Sequence, residues 1–440
     1  MSEVLAGIAR EIITPPNGTE LAGYLNSRRS RGVRDDLFVR VTLFRSGDVT
    51  GGIVSFDLCE VGSQVLALTR GMIAGAGFDF AGKLIYTANH THTGTATAPL
   101  FGLPEAAAQY EVIAAAAFRA VKRAVANLQP AELLAGSCRG NKLAFNRRYW
   151  MKNGTVATNP GKLNPDALRP EGTLDDEITV LALRQQNRLA ALIVNLVNHT
   201  DTVGGDLISA DWPGRLERAL QGRPDGDPQV TTLIGCSGNI NHFNIADPNG
   251  QTSYAEACRI GSGYAAVVAA MLTGLEPVKA AAVGVKTAPF DWPSRSVGAA
   301  EVADAEAVLN RNAGKNRSGD MTSEGLAAGD GPVACFFAEQ LIAFAKNSSG
   351  RVHHADLVRL TLGDLEIAAL PAEPFTEVGL AVKAAMGGRF RMVAALSNSP
   401  LGYIAMPECF NHGGYEVRPV LGGGPAIDTA PRLIEAATKL

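Results

Sequence analysis

The sequence predicts an α/β fold in which mixed β-sheets are flanked by helices and the functional residues gather at the carboxyl ends of strands. Three observations lead there. Short apolar runs alternate with longer stretches of helical pattern through all 440 residues. A composition of 46% hydrophobic and 19% charged residues can bury a large core. Five apolar runs stop abruptly in chemically capable residues, and α/β sheets build their sites in the loops beyond such strand ends.

Taken in chain order, "GGIVSFDL" at 51–58 reads as a strand. The run 105–128 is made of strong helix formers, with Arg119, Lys122 and Arg123 spaced for one wet face. "LAALIVNLVN" at 189–198 reads as a strand, 253–272 as a helix, and 375–386 as another helix. Two stretches rich in Asn, Gly, Ser or Pro, 146–175 and 312–333, read as irregular. No repeat at a fixed period is visible. With no convincing linker, the expectation is one domain spanning 1–440.

Several classes are excluded. A formal net charge of −3 offers no nucleic-acid footprint. The Ala-rich stretches at 105–127 and 253–274 carry charges, so neither supplies the roughly 20 uncharged residues of a membrane span. The start "MSEVLAGIAREIITPP" has no basic n-region or long apolar run. The six cysteines form no CxxC pair and read as buried free thiols of a reducing compartment. The expectation is a soluble cytoplasmic protein acting on a small molecule, with no nucleic-acid partner and no membrane span; a homo-oligomer is compatible with it.

The five strand ends are "KLIYTA" into "NHTHTG", "LIVNLV" into "NHTDT", "VTTLIG" into "CSGNINH", "LEIAAL" into "PAEPF", and "FRMVAAL" into "SNSPLGY". They carry four of the seven histidines. Candidate ligands are His90 or His92, His199, Glu373 and Tyr403. Nitrogen and carboxylate donors suit a borderline cation such as zinc, which in catalytic sites keeps one position open. On an extended segment residues i and i+2 share a face. One of His90 and His92 can then bind metal while the other faces substrate. His353 and His354 lack that strand-end context and read as surface or loop histidines.

At these residues the chain resembles a known family, the catalytic domain of the neutral (non-lysosomal, alkaline) ceramidases. "NHTHTGT" at 89–95 is similar to the family's "THTHSGP", and "NHTDT" at 198–202 to its "THGTS". "AEPFT" at 372–376 is similar to "GEFT" with one residue inserted. "ALSNSPLGYIAMPECFNHGGYE" at 395–416 follows the family's "GLxNxYxxYxTTxEEYxxQxYE", and "NRRYW" at 146–150 its "NRSxxSY". The opening "GIAREIITPPNG…LAGY" also matches, so the resemblance spans nearly the whole chain.

The resemblance implies a single zinc held by His90, His199, Glu373 and Tyr403. It implies that His92 faces the scissile amide, and that Arg147 and Tyr415 contact substrate or the developing oxyanion. Asn146, in the "NRRYW" segment, and His412, in the loop before Tyr415, are candidate substrate contacts. The family's "GDVSPN" becomes "SGNINHFN", which places Asn241 where the family has a serine. Asn cannot be a nucleophile of the serine type, yet it can orient a water or hydrogen-bond a carbonyl. The chain stops at Leu440, so the family's immunoglobulin-like C-terminal domain is not expected, nor is ceramide as substrate. The expected activity is zinc-dependent hydrolysis of a carboxamide in a small soluble N-acyl or cyclic amide. An esterase or lactonase on the same site is the alternative.

Two rivals of other classes are open. "GCSGN" at 235–239 offers Cys236 or Ser237 as a metal-free nucleophile, although the elbow G-x-S-x-G needs glycine where Asn239 stands. A metal-stabilised binding protein without turnover is the other; His92, Arg147 and Tyr415 argue against it, since a structural zinc does not need them.

Overall fold

The computed structural model describes residues 4–279, 282–314, 331–399 and 402–440. Within them one topological unit occurs three times along the chain. The first copy runs through β1 (Leu5–Ile12), β2 (Phe38–Ser46), β3 (Val49–Phe56), α1 (Ser63–Gly75), β4 (Leu84–Ala88) and α2 (Tyr110–Ala126). The second runs through β5 (Glu132–Arg139), β6 (Glu177–Gln185), β7 (Arg188–Leu196), α3 (Asp211–Leu220), β8 (Gln229–Ile234) and α4 (Tyr254–Met271). The third begins with β9 (Val283–Pro293) and carries α5 (Ala299–Arg311) and α6 (Gly331–Asn347) as an insertion. It continues through β10 (Val352–Leu362), β11 (Leu365–Ala369), α7 (Thr376–Ala385), β12 (Phe390–Ala394) and α8 (Thr429–Thr438).

In each copy the first three strands are antiparallel neighbours and the fourth lies parallel to the third. The sheets are therefore mixed, as the sequence predicts. The first, third and fourth strands of a copy share one direction, so the loops that follow them open on one edge of their sheet. The loops after the first strands span 13–37, 140–176 and 294–351. Those unequal insertions explain why no fixed period is visible in the sequence.

One face of each of the three large sheets points to a shared apolar centre. Phe44, Ile53 and Ile85 of the first copy meet Leu181, Ile193 and Leu233 of the second and Leu360, Ile367 and Met392 of the third. Fully burying such side chains contributes about 1.5–3 kcal/mol each. At Gly51 a Cβ would lie 2.5 Å from Val285 Cγ2 and 3.0 Å from Leu360 Cδ1, so β3 reaches the third sheet only because that residue has no side chain. The opposite faces carry the helices. In α2 the buried positions Ile113, Ala116, Ala117, Ala120, Val121 and Ala124 keep helical spacing.

The expected strands at 51–58 and 189–198 appear as β3 and β7, and the expected helices as α2, α4 and α7. The stretch 146–175 is not simply irregular. It holds a three-stranded sheet of Arg148–Met151, Val156–Thr158 and Ala167–Pro170. Its first hairpin turns at Asn153-Gly154, with Gly154 at φ 82°, a sequence signal for such a turn. Most of the second irregular stretch, 315–330, lies outside the described residues. His353 and His354 lie in β10, not in a loop; His354 is at the surface as expected, paired with Asp291 Oδ1 at 2.7 Å, and half-buried His353 pairs with Ser294 Oγ at 2.6 Å. All six cysteines are free; Cys138 and Cys258 are only half-buried. Among the described residues no helix is long and apolar enough to cross a membrane.

Candidate active site

The strand-end loops deliver the site residues. Cys59 stands three residues past β3, His199 three past β7, and Glu373 four past β11. His90 and His92 follow β4, and Tyr403 and Tyr415 follow β12. Beyond β4 the backbone does not continue extended, so the same-face reasoning for His90 and His92 is corrected. His90 is left-handed at φ 67°, a conformation that costs about 1–2 kcal/mol in a non-glycine residue. Neighbouring bonds hold it there. Asn89 Nδ2 donates to Asp57 Oδ1 at 2.7 Å, Asn89 N to Phe56 O at 3.0 Å, and Thr91 Oγ1 to Ser209 O at 2.6 Å. Asp57 is in turn clamped by buried Arg40 at 2.7 Å.

His199 is fixed from α3: Trp212 Nε1 donates to its carbonyl at 2.8 Å. The Asp211 carboxylate accepts the backbone N–H of Thr202 and Val203 at 2.9 Å each. Glu373 and Tyr403, thirty residues apart, are register partners in a two-residue parallel ladder.

Three buried ligand atoms converge. His90 Nε2 lies 3.1 Å from His199 Nε2 and 3.1 Å from Glu373 Oε2. His90, His199 and Glu373 offer ligand atoms that all fall within 4.8 Å of one another. His90 Nδ1 faces the Cys59 carbonyl at 2.8 Å. That bond keeps a proton on Nδ1 and turns Nε2 inward. Without a metal, a charged His90 faces Glu373 Oε2 at 3.1 Å; a cation in place of the Nε2 proton would leave the Nε2 lone pair and Oε2 as ligands. A cation between them satisfies both. The spacings also match the edge of a tetrahedron with metal–ligand bonds of about 2.0–2.1 Å, roughly 3.3 Å.

The electrostatics agree. Burial alone would push His90 down, but the Glu373 carboxylate and Cys59 outweigh it and hold the imidazole well above its usual range. Burial would raise Glu373, yet His90, Arg147 and His92 hold it below the usual carboxylate range. His199 is held well below its usual range by burial and then by His90 and Arg147. Positive charge is thus favoured beside Glu373, and His199 stays a neutral donor. Nearby, burial and then Glu373 push the Glu60 carboxyl up to about 7.

His92 Nε2 lies 3.4 Å from His90 Nε2 but falls outside the His90–His199–Glu373 group; its close group is Cys59 and His90. Its Nδ1 stands 3.3 Å from Asp201 Oδ1, the atom to which Tyr24 donates at 2.6 Å. The Tyr403 and Tyr415 rings pack edge to face with centroids 5.7 Å apart. The Arg147 guanidinium lies 5.1 Å and 5.2 Å from the two ring centroids. It is pinned by Glu416 Oε1 at 3.1 Å and donates to Gly238 O at 2.6 Å. Arg147 therefore stands behind the tyrosines, not on the cavity wall. Burial pushes Tyr415 up to about 12 against the pull of Arg147.

Three candidates sit elsewhere. The Asn241 amide is engaged, donating to Asn159 Oδ1 at 2.8 Å and accepting from Phe243 N at 3.0 Å. Asn146 staples its own loop, donating to Thr173 O at 3.1 Å and accepting from Arg148 N at 3.0 Å. His412 pairs with Glu171 Oε1 at 2.8 Å and packs on Trp150, lining a separate cavity. The rival nucleophile Cys236 is buried against Gly379, and burial pushes its thiol up, the reverse of what a reactive cysteine needs.

Asp201, Tyr24, Cys59 and Glu416 were not singled out by sequence. Asp201 was visible inside "NHTDT", where the family has an uncharged residue; the strand end "IVSFDLCE" was the unread sixth of its kind. The cavity over His90, His92, Glu373, Tyr403 and Tyr415 is small, about 40 Å³, with Leu100, Phe101, Phe337 and Val420 among its walls.

No protein-family model matches the chain, and no curated protein sequence does. Solved structures do. Neutral ceramidase from Pseudomonas aeruginosa aligns with TM-score 0.71 at 18% identity, covering 100% of this chain and 74% of that one. A ceramidase complexed with C2 aligns with TM-score 0.71 at 17% identity and the same coverage. The motif resemblance and the superposition agree on architecture: the chain has the neutral ceramidase fold.

Proposed function

We propose that the protein is a zinc-dependent hydrolase of small carboxamides. The observation that carries this reading is the convergence of His90 Nε2, His199 Nε2 and Glu373 Oε2 at the base of a cavity walled by His92, Tyr403 and Tyr415. In this reading His90, His199, Glu373 and Tyr403 hold the cation. When bound there, zinc supplies a Lewis acid and lowers the pKa of water toward neutrality.

The chain's own groups do the rest. The Cys59 carbonyl and the buried Arg40–Asp57–Asn89 chain hold His90 in one tautomer and one orientation. Tyr415 donates its hydroxyl toward the carbonyl oxygen as negative charge grows there, and Arg147 behind it supports that charge. Asp201 keeps the His92 proton on Nδ1, so that Nε2 can take the proton lost by the attacking water and pass it to the leaving nitrogen. The apolar wall excludes bulk water. Asn241, Asn146 and His412 shape the loops around the site, their side chains being engaged elsewhere.

The test is hydrolysis of a panel of short N-acyl amines, N-acyl amino acids and lactams by the purified protein. Turnover is expected to vanish on chelation, return with zinc, and survive serine- and thiol-directed reagents. Activity that survives chelation, or that a thiol reagent abolishes, overturns the reading.

A further inference from the structure

Arg418 is the unclaimed charge at this site. It falls just past the motif that ends at Glu416, and its backbone N–H donates to Tyr415 O at 3.0 Å. Its guanidinium lies 5.8 Å from the Phe337 ring centroid. It lines the reaction cavity and also a second cavity of about 410 Å³, so it stands where the two adjoin. Among the described residues no carboxylate pairs with it. Glu416 is taken by Arg147 at 3.1 Å, Arg148 at 2.6 Å and Thr158 at 2.7 Å. Glu171 is taken by Arg148 and by His412 at 2.8 Å.

The two cavities differ in chemistry. The first has the apolar side chains Leu100, Phe101, Phe337 and Val420. The second presents Asn153, Thr155, Thr158, Asn411 and His412. The Arg418 side chain is exposed at this border, and its unpaired guanidinium can take a planar anion through two parallel N–H bonds. We propose that Arg418 selects substrates whose amine half carries a carboxylate, of the N-acyl amino acid class, with the acyl half against the apolar wall and the carboxylate at the junction. This inference rests on the reading of the first cavity as the reaction chamber.

The experiment compares N-butanoylglycine with its uncharged methylamide. Binding is measured by calorimetry on the protein both as purified and after chelation, and cleavage is followed separately. The acid is expected to bind more tightly by about two- to five-fold, the range of an exposed ion pair. Arg418→Gln, which keeps the stem over Phe337, is expected to collapse that ratio, and Arg418→Lys to keep part of it. Equal binding of the two compounds, or an unchanged ratio in a folded Arg418→Gln protein, overturns the inference. If the ratio collapses while neither compound is cleaved, charge selection by Arg418 holds and the hydrolase reading fails. If both are cleaved and the ratio is unmoved, the reverse is true.

Discussion

Replacing Asp201 by Asn removes one charge while keeping the shape of the side chain. In the structure Asp201 Oδ1 receives the Tyr24 hydroxyl at 2.6 Å and stands 3.3 Å from His92 Nδ1. Hydrogen bonds to a charged group contribute about 1.5–3 kcal/mol and neutral ones about 0.5–1.5 kcal/mol. Neutralising Asp201 thus weakens its hold on the His92 proton by about 1–1.5 kcal/mol, or roughly five- to thirteen-fold in kcat. A larger loss follows if the new amide turns its NH₂ toward the ring and imposes the wrong tautomer. The assay pairs an amide with a nitrophenyl ester of the same acyl group, with metal content measured on each sample. The amide needs a proton at its leaving nitrogen, whereas nitrophenolate departs without one. Amide turnover is expected to fall, and ester turnover to stay close to that of the unmutated protein at full metal content. Equal loss on both substrates, no loss on the amide, or loss of metal would refute the assignment of His92 to proton transfer.

Three further outcomes are expected. Arg147→Ala should lower kcat by about 10–100-fold while the metal is retained, because Arg147 supports the tyrosines from behind without touching the cation; elemental analysis beside steady-state kinetics checks this. Gly23→Ala should impair turnover, since Gly23 sits at φ 100° and an added Cβ would lie 2.4–2.7 Å from His92 Cγ, Cβ and Cα; crystallography of the variant should show His92 displaced. Gly261→Ala in α4 would bring a Cβ within 2.8 Å of the Leu216 nitrogen and the Trp212 carbonyl in α3. It should destabilise the fold by about 1–3 kcal/mol, read as a lower denaturation midpoint.

Much of the candidate site is legible because polar residues interrupt strand-like hydrophobicity so sharply. Runs such as "LIVNLV" followed by "NHTDT" announce both the strand and its chemistry. Tyr403 is a different case: it closes a strand-end segment, but tyrosine is a rare zinc ligand, so the weight on it comes from the family resemblance and the ladder with Glu373. The left-handed turn at His90 was invisible, because it depends on Asp57 and Ser209, which lie far from it in sequence. The three-copy topology was hidden by first-strand insertions of unequal length. Asn241 and Asn146 looked available from their neighbours in sequence, but amides at loop positions find local partners first. His412 was misplaced for a related reason: Glu171, 241 residues away, holds it on another wall.

The most direct measurement is the metal content and ligand set of protein purified without chelator, by elemental analysis and X-ray absorption. One zinc per chain is expected, ringed by nitrogen and oxygen at about 2.0–2.2 Å, and lost together with turnover in His199→Ala. An active protein without stoichiometric metal, a sulfur ligand at about 2.3 Å from Cys59, or full zinc and full activity in His199→Ala would contradict it.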